Sequence, residues 1–175
     1  MKYFTFEEFE QSDTAKKNNI DNRITDNATK NNIEALVDNV LDPLREAYGK
    51  PINISSGYRT RELNAKLKGS STSQHCKGEA ADLVVKDGKK GLKDLMVYIL
   101  YFQLPVDQAI FEVSGNSVWL HVSHKRNGVN RNQFLTYLNG AYTVVTPEYM
   151  WSVICGLDLP ILHPQPMPIT GCDMK

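Results

Sequence analysis

Cysteine is scarce in this sequence. Cys76, Cys155 and Cys172 are the only three among 175 residues, and none stands in a CxxC spacing. That excludes a disulfide framework and a thiolate zinc site. An excess of either charge is also missing. Lys and Arg total 20, as do Asp and Glu, so nothing in the electrostatics favours nucleic acid or an anionic membrane as the main partner. Long hydrophobic runs are absent. The longest apolar stretch, near residues 95–104, is interrupted by Tyr98, Tyr101 and Gln103, and membrane insertion is not expected. The opening Met1-Lys2-Tyr3-Phe4-Thr5-Phe6-Glu7-Glu8 has neither an apolar h-region nor a small-residue cleavage site. Synthesis in the cytoplasm without a Sec signal is therefore expected, with action elsewhere following release by lysis. No internal repeat is visible.

What is present is the composition of a globular protein. Hydrophobic residues make up 41% and charged residues 23%, too apolar for general disorder. The length predicts one domain with a short appendage. The boundary falls near residue 145, because Pro160, Pro164, Pro166 and Pro168 crowd the chain beyond it. The domain is thus 1–145, and 146–175 is a Pro-rich tail expected to be extended, with Tyr149, Met150 and Trp151 as possible anchors.

Within the domain, Thr5 and Glu8 occupy the positions of a capping box ahead of a short helix. Ile33, Leu36, Val37, Val40, Leu41, Leu44 and Tyr48 recur at helical spacing, starting after Asn27 or Thr29 as cap and ending at Gly49. Pro43 inside this stripe predicts a kink, because it removes one donor from the ladder. Ile52–Ser55 alternates as a strand, and Arg61–Leu67 reads as a short helix. Asp82–Val85 reads as a second strand, and Leu92, Leu95, Met96, Ile99 and Leu100 mark a second amphipathic helix. Gln108–Val113 and Ser117–Ser123 flank a Gly115-Asn116 turn and form a hairpin. Tyr142–Val145 offers a last strand.

Two segments carry chemistry: Ser73-Gln74-His75-Cys76-Lys77-Gly78-Glu79-Ala80-Ala81-Asp82 and Val118-Trp119-Leu120-His121-Val122-Ser123. Together they provide two imidazoles and a carboxylate, the donor types of a catalytic zinc site with three protein ligands. Strand alternation puts Trp119, His121 and Ser123 on one face and the aliphatic Val118, Leu120 and Val122 on the other. Spacing alone leaves each of these residues open to a structural role as well. Cys76, adjacent to His75, is expected to pack rather than ligate, and alternation turns His124 away from His121.

The first segment resembles the SxHxxGxAxD motif of zinc D-Ala-D-Ala peptidases, and His121-Val122-Ser123 resembles that family's second-histidine strand. Ser56-Gly57-Tyr58-Arg59-Thr60 is similar to its SGYR segment. Ser12–Ala15, Ile20–Asn22 and Val40–Arg45 are similar to the opening of its phage-associated branch, which includes L-alanyl-D-glutamate endolysins. The resemblance runs over roughly residues 3–145.

It implies an α+β fold of the Hedgehog/DD-peptidase type, with an antiparallel sheet, helices on one side and a zinc cleft on the other. It implies Zn2+ held by His75, Asp82 and His121, and a monomer of phage-encoded type acting on peptidoglycan stem peptides after release. Arg59 takes the place of the substrate- and oxyanion-binding arginine. Ser73 falls near metal or substrate, and Tyr58 falls at the pocket. Where several relatives carry an acidic residue three places before the last histidine, this chain has Val118. Glu112, on the preceding hairpin strand, is the nearest acidic candidate, either as general base or as a partner orienting His121 or Arg59. The implied activity is hydrolysis of a D-Ala-D-Ala or L-Ala-D-Glu type bond. The alternative is a non-catalytic zinc-bearing module that binds cell wall or serves in a phage particle.

Overall fold

In the computed structural model residues 1–138 and 140–146 are described. Residues 147–175 of the Pro-rich tail, with Tyr149, Met150, Trp151, Cys155 and Cys172, lie outside them. The chain opens with α1 (Phe6–Glu10), whose Thr5–Glu8 capping box forms as expected, with the Thr5 amide donating to Glu8 at 2.8 Å. A short α2 (Asp13–Lys17) follows, capped by the Ser12 hydroxyl. The sequence reading did not pick it out.

The apolar stripe from Ile33 to Tyr48 folds as α3 (Asn27–Leu36), a π-helical turn (Val37–Leu41) and α4 (Asp42–Tyr48). Asp26, rather than Asn27 or Thr29, caps α3, accepting from the Thr29 amide at 2.8 Å. The disturbance attributed to Pro43 takes the form of the π turn. The Asp42 amide donates to the Val37 carbonyl five residues back, and Pro43 then enters the first turn of α4, where no donor is needed. Gly49 closes α4 in the left-handed region, φ 69°.

Next come β1 (Ile52–Ser56), α5 (Arg61–Lys66), a 3-10 turn (Gln74–Lys77) and β2 (Ala80–Val85). They are followed by α6 (Gly88–Tyr101), β3 (Gln108–Ser114), β4 (Ser117–Ser123), β5 (Gln133–Leu138) and β6 (Ala141–Val144). The six strands form one sheet in the order β1-β2-β4-β3-β5-β6. The hairpin has the expected two-residue turn, with Ser114 facing Ser117. The α+β class expected from the sequence is what the structure has, but the sheet is mixed, because β5 runs parallel to β3.

Topology explains the parallel pair. The 124–132 connection leaves β4 and stays at one end of the sheet, where Asn132 donates to Val106 and Gln133 to Asp107. β5 therefore starts beside the start of β3 and must run with it. A fully buried carboxylate pins this connection. Asp107 accepts from Arg131 Nη2 at 2.6 Å and Nε at 3.0 Å, and Lys125 Nζ lies 2.8 Å away. Burial pushes the Asp107 carboxyl up, but hydrogen bonds from Arg131 and Lys125 outweigh that and hold it well below the usual range.

Alternation then divides the sheet. Ala81, Leu83, Ala109, Phe111, Leu120, Val122 and Phe134 join α3, α4 and α6 in one core. Asp82, His121, Ile110 and Glu112 point the other way.

The 3-10 turn is fitted tightly to α3. Gly78 ends it at φ 71°, and a β-carbon there would sit 2.8 Å from the Thr29 carbonyl and 2.9 Å from Ile33 Cγ1. Gly49 has the same backbone geometry with nothing within 4 Å. Gly49→Ala should cost about 1–2 kcal/mol from backbone strain alone, and Gly78→Ala ~3 kcal/mol or more because backbone must also shift. Denaturant midpoints of the two variants test this contrast.

Asp107 sets a pH dependence. Its folded pKa is depressed, so its stabilisation is complete above the unfolded carboxyl's range, near pH 4, and is lost as pH falls below it. The stability gap between the native protein and Asp107→Asn should be constant from about pH 7 to about pH 5 and shrink toward about pH 2, as read from urea titrations at each pH.

Candidate metal centre

On the uncovered face, strand pairing sets Ser56, Asp82, His121 and Ile110 side by side across β1, β2, β4 and β3. His75 reaches this row from the 3-10 turn. Its Nδ1–H donates to the Gly57 carbonyl at 2.7 Å, which leaves Nε2 as a free lone pair, and burial lowers its pKa. His75 Nε2 lies 3.3 Å from His121 Nδ1 and 3.3 Å from Asp82 Oδ1, and the last two atoms are 3.0 Å apart. Among the described residues these three form the group of donors close enough to share a metal ion.

The triangle fits a tetrahedral ion. Nitrogen and oxygen ligands at about 2.0–2.1 Å from zinc are about 3.3 Å apart at the corners of a tetrahedron. The donor set, two imidazoles and one carboxylate, is of the kind that holds zinc in catalytic sites.

Arg59 fixes the carboxylate. Its Nη2 donates to Asp82 Oδ2 at 2.7 Å and its Nε to Ser56 Oγ at 2.9 Å. With Oδ2 held, Oδ1 is the oxygen that faces the histidines. Burial works against the Asp82 charge, but its contacts with His75 and His121 prevail and keep its pKa far below normal.

These residues line a cleft of about 730 Å³ together with Ser73, Gln74, Ile110, Glu112, Trp119 and Tyr142. Glu112 pairs with Trp119, as the hairpin register required, and lies on the same face as His121 one pleat repeat away. Burial raises its pKa. Val118 falls on the opposite face and packs against the core. A side chain three residues before His121 therefore cannot enter this cleft while β4 stays regular. Tyr58 is placed differently from the expectation. Its ring packs against the core, its carbonyl accepts from Asn22 at 2.9 Å, and it does not line the cleft. His124 is buried, with Nδ1–H donating to the Pro105 carbonyl at 2.6 Å. Cys76 is not part of the donor group.

Several cleft residues were not singled out from the sequence. Asp107, Lys125, Arg131, Gln108 and Tyr142 all line it. Tyr142 lies in the expected last strand, which forms as β6, and β5, with its aromatic and β-branched run Phe134-Leu135-Thr136-Tyr137-Leu138, had a local signal for the strand beside it.

The sequence matches the family described as Peptidase M15 over residues 2–98, more than half of the chain. The chain belongs to the M15 peptidases, a family of zinc peptidases. The matched span includes Arg59, His75 and Asp82. No curated protein matches the chain.

The inward orientation of Val118 has a measurable consequence. Val118→Glu should destabilise the fold by about 2 kcal/mol by setting a carboxylate against the core, whereas an exposed position such as Ser117→Glu on the same strand should change stability by less than about 0.5 kcal/mol. Thermal unfolding of both variants checks the assignment of faces.

Proposed function

We propose that this protein is a zinc metallopeptidase that hydrolyses peptide bonds in peptidoglycan stem peptides, of D-Ala-D-Ala or L-Ala-D-Glu type. The observation that carries the reading is the triangle of His75 Nε2, Asp82 Oδ1 and His121 Nδ1 on the cleft face of the sheet, in a chain of the M15 family. His75, Asp82 and His121 would hold the ion. When bound, zinc supplies a Lewis acid that polarises a carbonyl and acidifies water.

The chain's own groups do the rest. Glu112, half-buried and with a raised pKa, accepts a proton from the attacking water and returns it to the leaving amine. Two of Arg59's five N–H donors hold Ser56 and Asp82, and the others stabilise the oxyanion that forms as the carbonyl is attacked. Ser73 on the cleft wall binds substrate. Ile110 and Trp119 give the floor an apolar stretch that excludes water around the reacting bond. The protein acts as a single chain on the cell wall after release from the cytoplasm, consistent with a phage-encoded lysin.

The test pairs metal analysis with a wall digest. Protein supplied with zinc should bind about one ion and release new amino groups from purified sacculi, with the cleaved bond named by mass spectrometry. His75→Ala should lose both ion and activity. Glu112→Gln should keep the ion and lower kcat by 10²-fold or more, about the range for loss of a general base. Stoichiometric zinc without release of any peptide fragment from several wall types would leave a metal-bearing binding module and end the peptidase reading.

A further inference from the structure

The charge balance at one end of the cleft is uneven. Asp107 is fully buried, and Arg131 satisfies both of its oxygens through Nη2 and Nε, which completes a one-to-one pair. Lys125 adds a second cation to the same carboxylate, 2.8 Å from Oδ1, while its side chain is still 31% exposed. Lys77 and Glu79 also line the cleft. Around Asp107, two cations thus face one carboxylate. A cation left over after an ion pair is complete, and open to a cleft, favours an incoming anion.

Position narrows the anion. The Asp107 amide donates to Ser123, and His124 to Glu79, so this cluster sits about three residues along β4 from His121. Three strand residues span roughly 10 Å. An extended peptide needs two to three residues to cover that distance.

We propose that Lys125, braced by Asp107 and Arg131, is a carboxylate-binding subsite of this cleft that selects acidic peptides whose free carboxylate lies two to three residues from the bond to be cut. The proposal rests on the peptidase reading for its substrate class. Arg131 and Asp107 orient the subsite and hold the 124–132 connection, and Lys125 supplies the charge that touches substrate.

The probe is the synthetic stem pentapeptide L-Ala–D-γ-Glu–L-Lys–D-Ala–D-Ala in three forms: free acid, carboxamide at the D-Glu α-carboxylate, and carboxamide at the C-terminus. Binding is measured by calorimetry with the full chain, zinc-loaded, carrying Glu112→Gln to slow turnover. Cleavage is measured in parallel with the native chain. At least one carboxamide form should bind about tenfold more weakly than the free acid. Adding Lys125→Met should remove that difference, and Lys125→Arg should restore it. A purely structural role for Lys125 would weaken all three peptides alike and leave the difference intact, which overturns the proposal. So does equal binding of the three forms to the unsubstituted subsite, or no binding of any.

The two readings fail separately. Cleavage without a Lys125-dependent carboxylate preference removes the subsite and leaves the peptidase. A Lys125-dependent preference in binding, with no peptide cut by the native chain, leaves the subsite and removes the peptidase.

Discussion

Asp82 has one carboxylate oxygen on the Arg59 guanidinium and the other between two imidazoles, and the arrangement of the cleft follows from that division. A carboxylate so far from solvent costs several kcal/mol to desolvate unless it is paired and hydrogen-bonded. Arg59 provides the pairing, and Ser56 in turn orients Arg59. The consequence is geometric. With one oxygen held, the other has a single direction open to it, and His75 and His121 meet it there. His75 is equally constrained, since the Gly57 carbonyl selects its tautomer from behind. The donor triangle is thus preorganised by hydrogen bonds that converge on it from β1, from the loop after β1 and from the 3-10 turn.

The sheet does the sorting. Period-two alternation sends Leu83, Leu120 and Phe111 into the core and Asp82, His121 and Glu112 into the cleft from the same three strands. Burial on one face and chemistry on the other are therefore not independent. A one-residue slip of β4 would exchange Leu120 and His121, losing apolar burial and the donor triangle together. The hydrophobic effect acts here as the device that holds the histidine in register.

Much of this is legible in the sequence, for identifiable reasons. His75, Asp82, His121 and Arg59 are legible because they stand in motifs that resemble those of the peptidase family; spacing alone leaves each open to a structural role. Glu112 is legible because a two-residue turn fixes hairpin register by arithmetic. The rest depends on long-range contacts. Asp26 displaces Asn27 as the cap because only its side chain meets the Thr29 amide. Tyr58, inside a motif, nonetheless turns to the core because the segment wraps over Asn22. The parallel placement of β5 and the burial of Asp107 follow from the path of a nine-residue connection with no motif of its own, and that path brings Lys125 and Arg131 to the cleft.

The tight turn between β3 and β4 has one more consequence. It joins the strand bearing His121 to the strand bearing Glu112 with no slack, so the two form one stiff ribbon. Thermal bending of the sheet moves both together and changes their separation little. Changes in the segments around 68–74 and 124–132, which border the cleft from outside the ribbon, are accordingly expected to leave the spacing of His121 and Glu112 as it is.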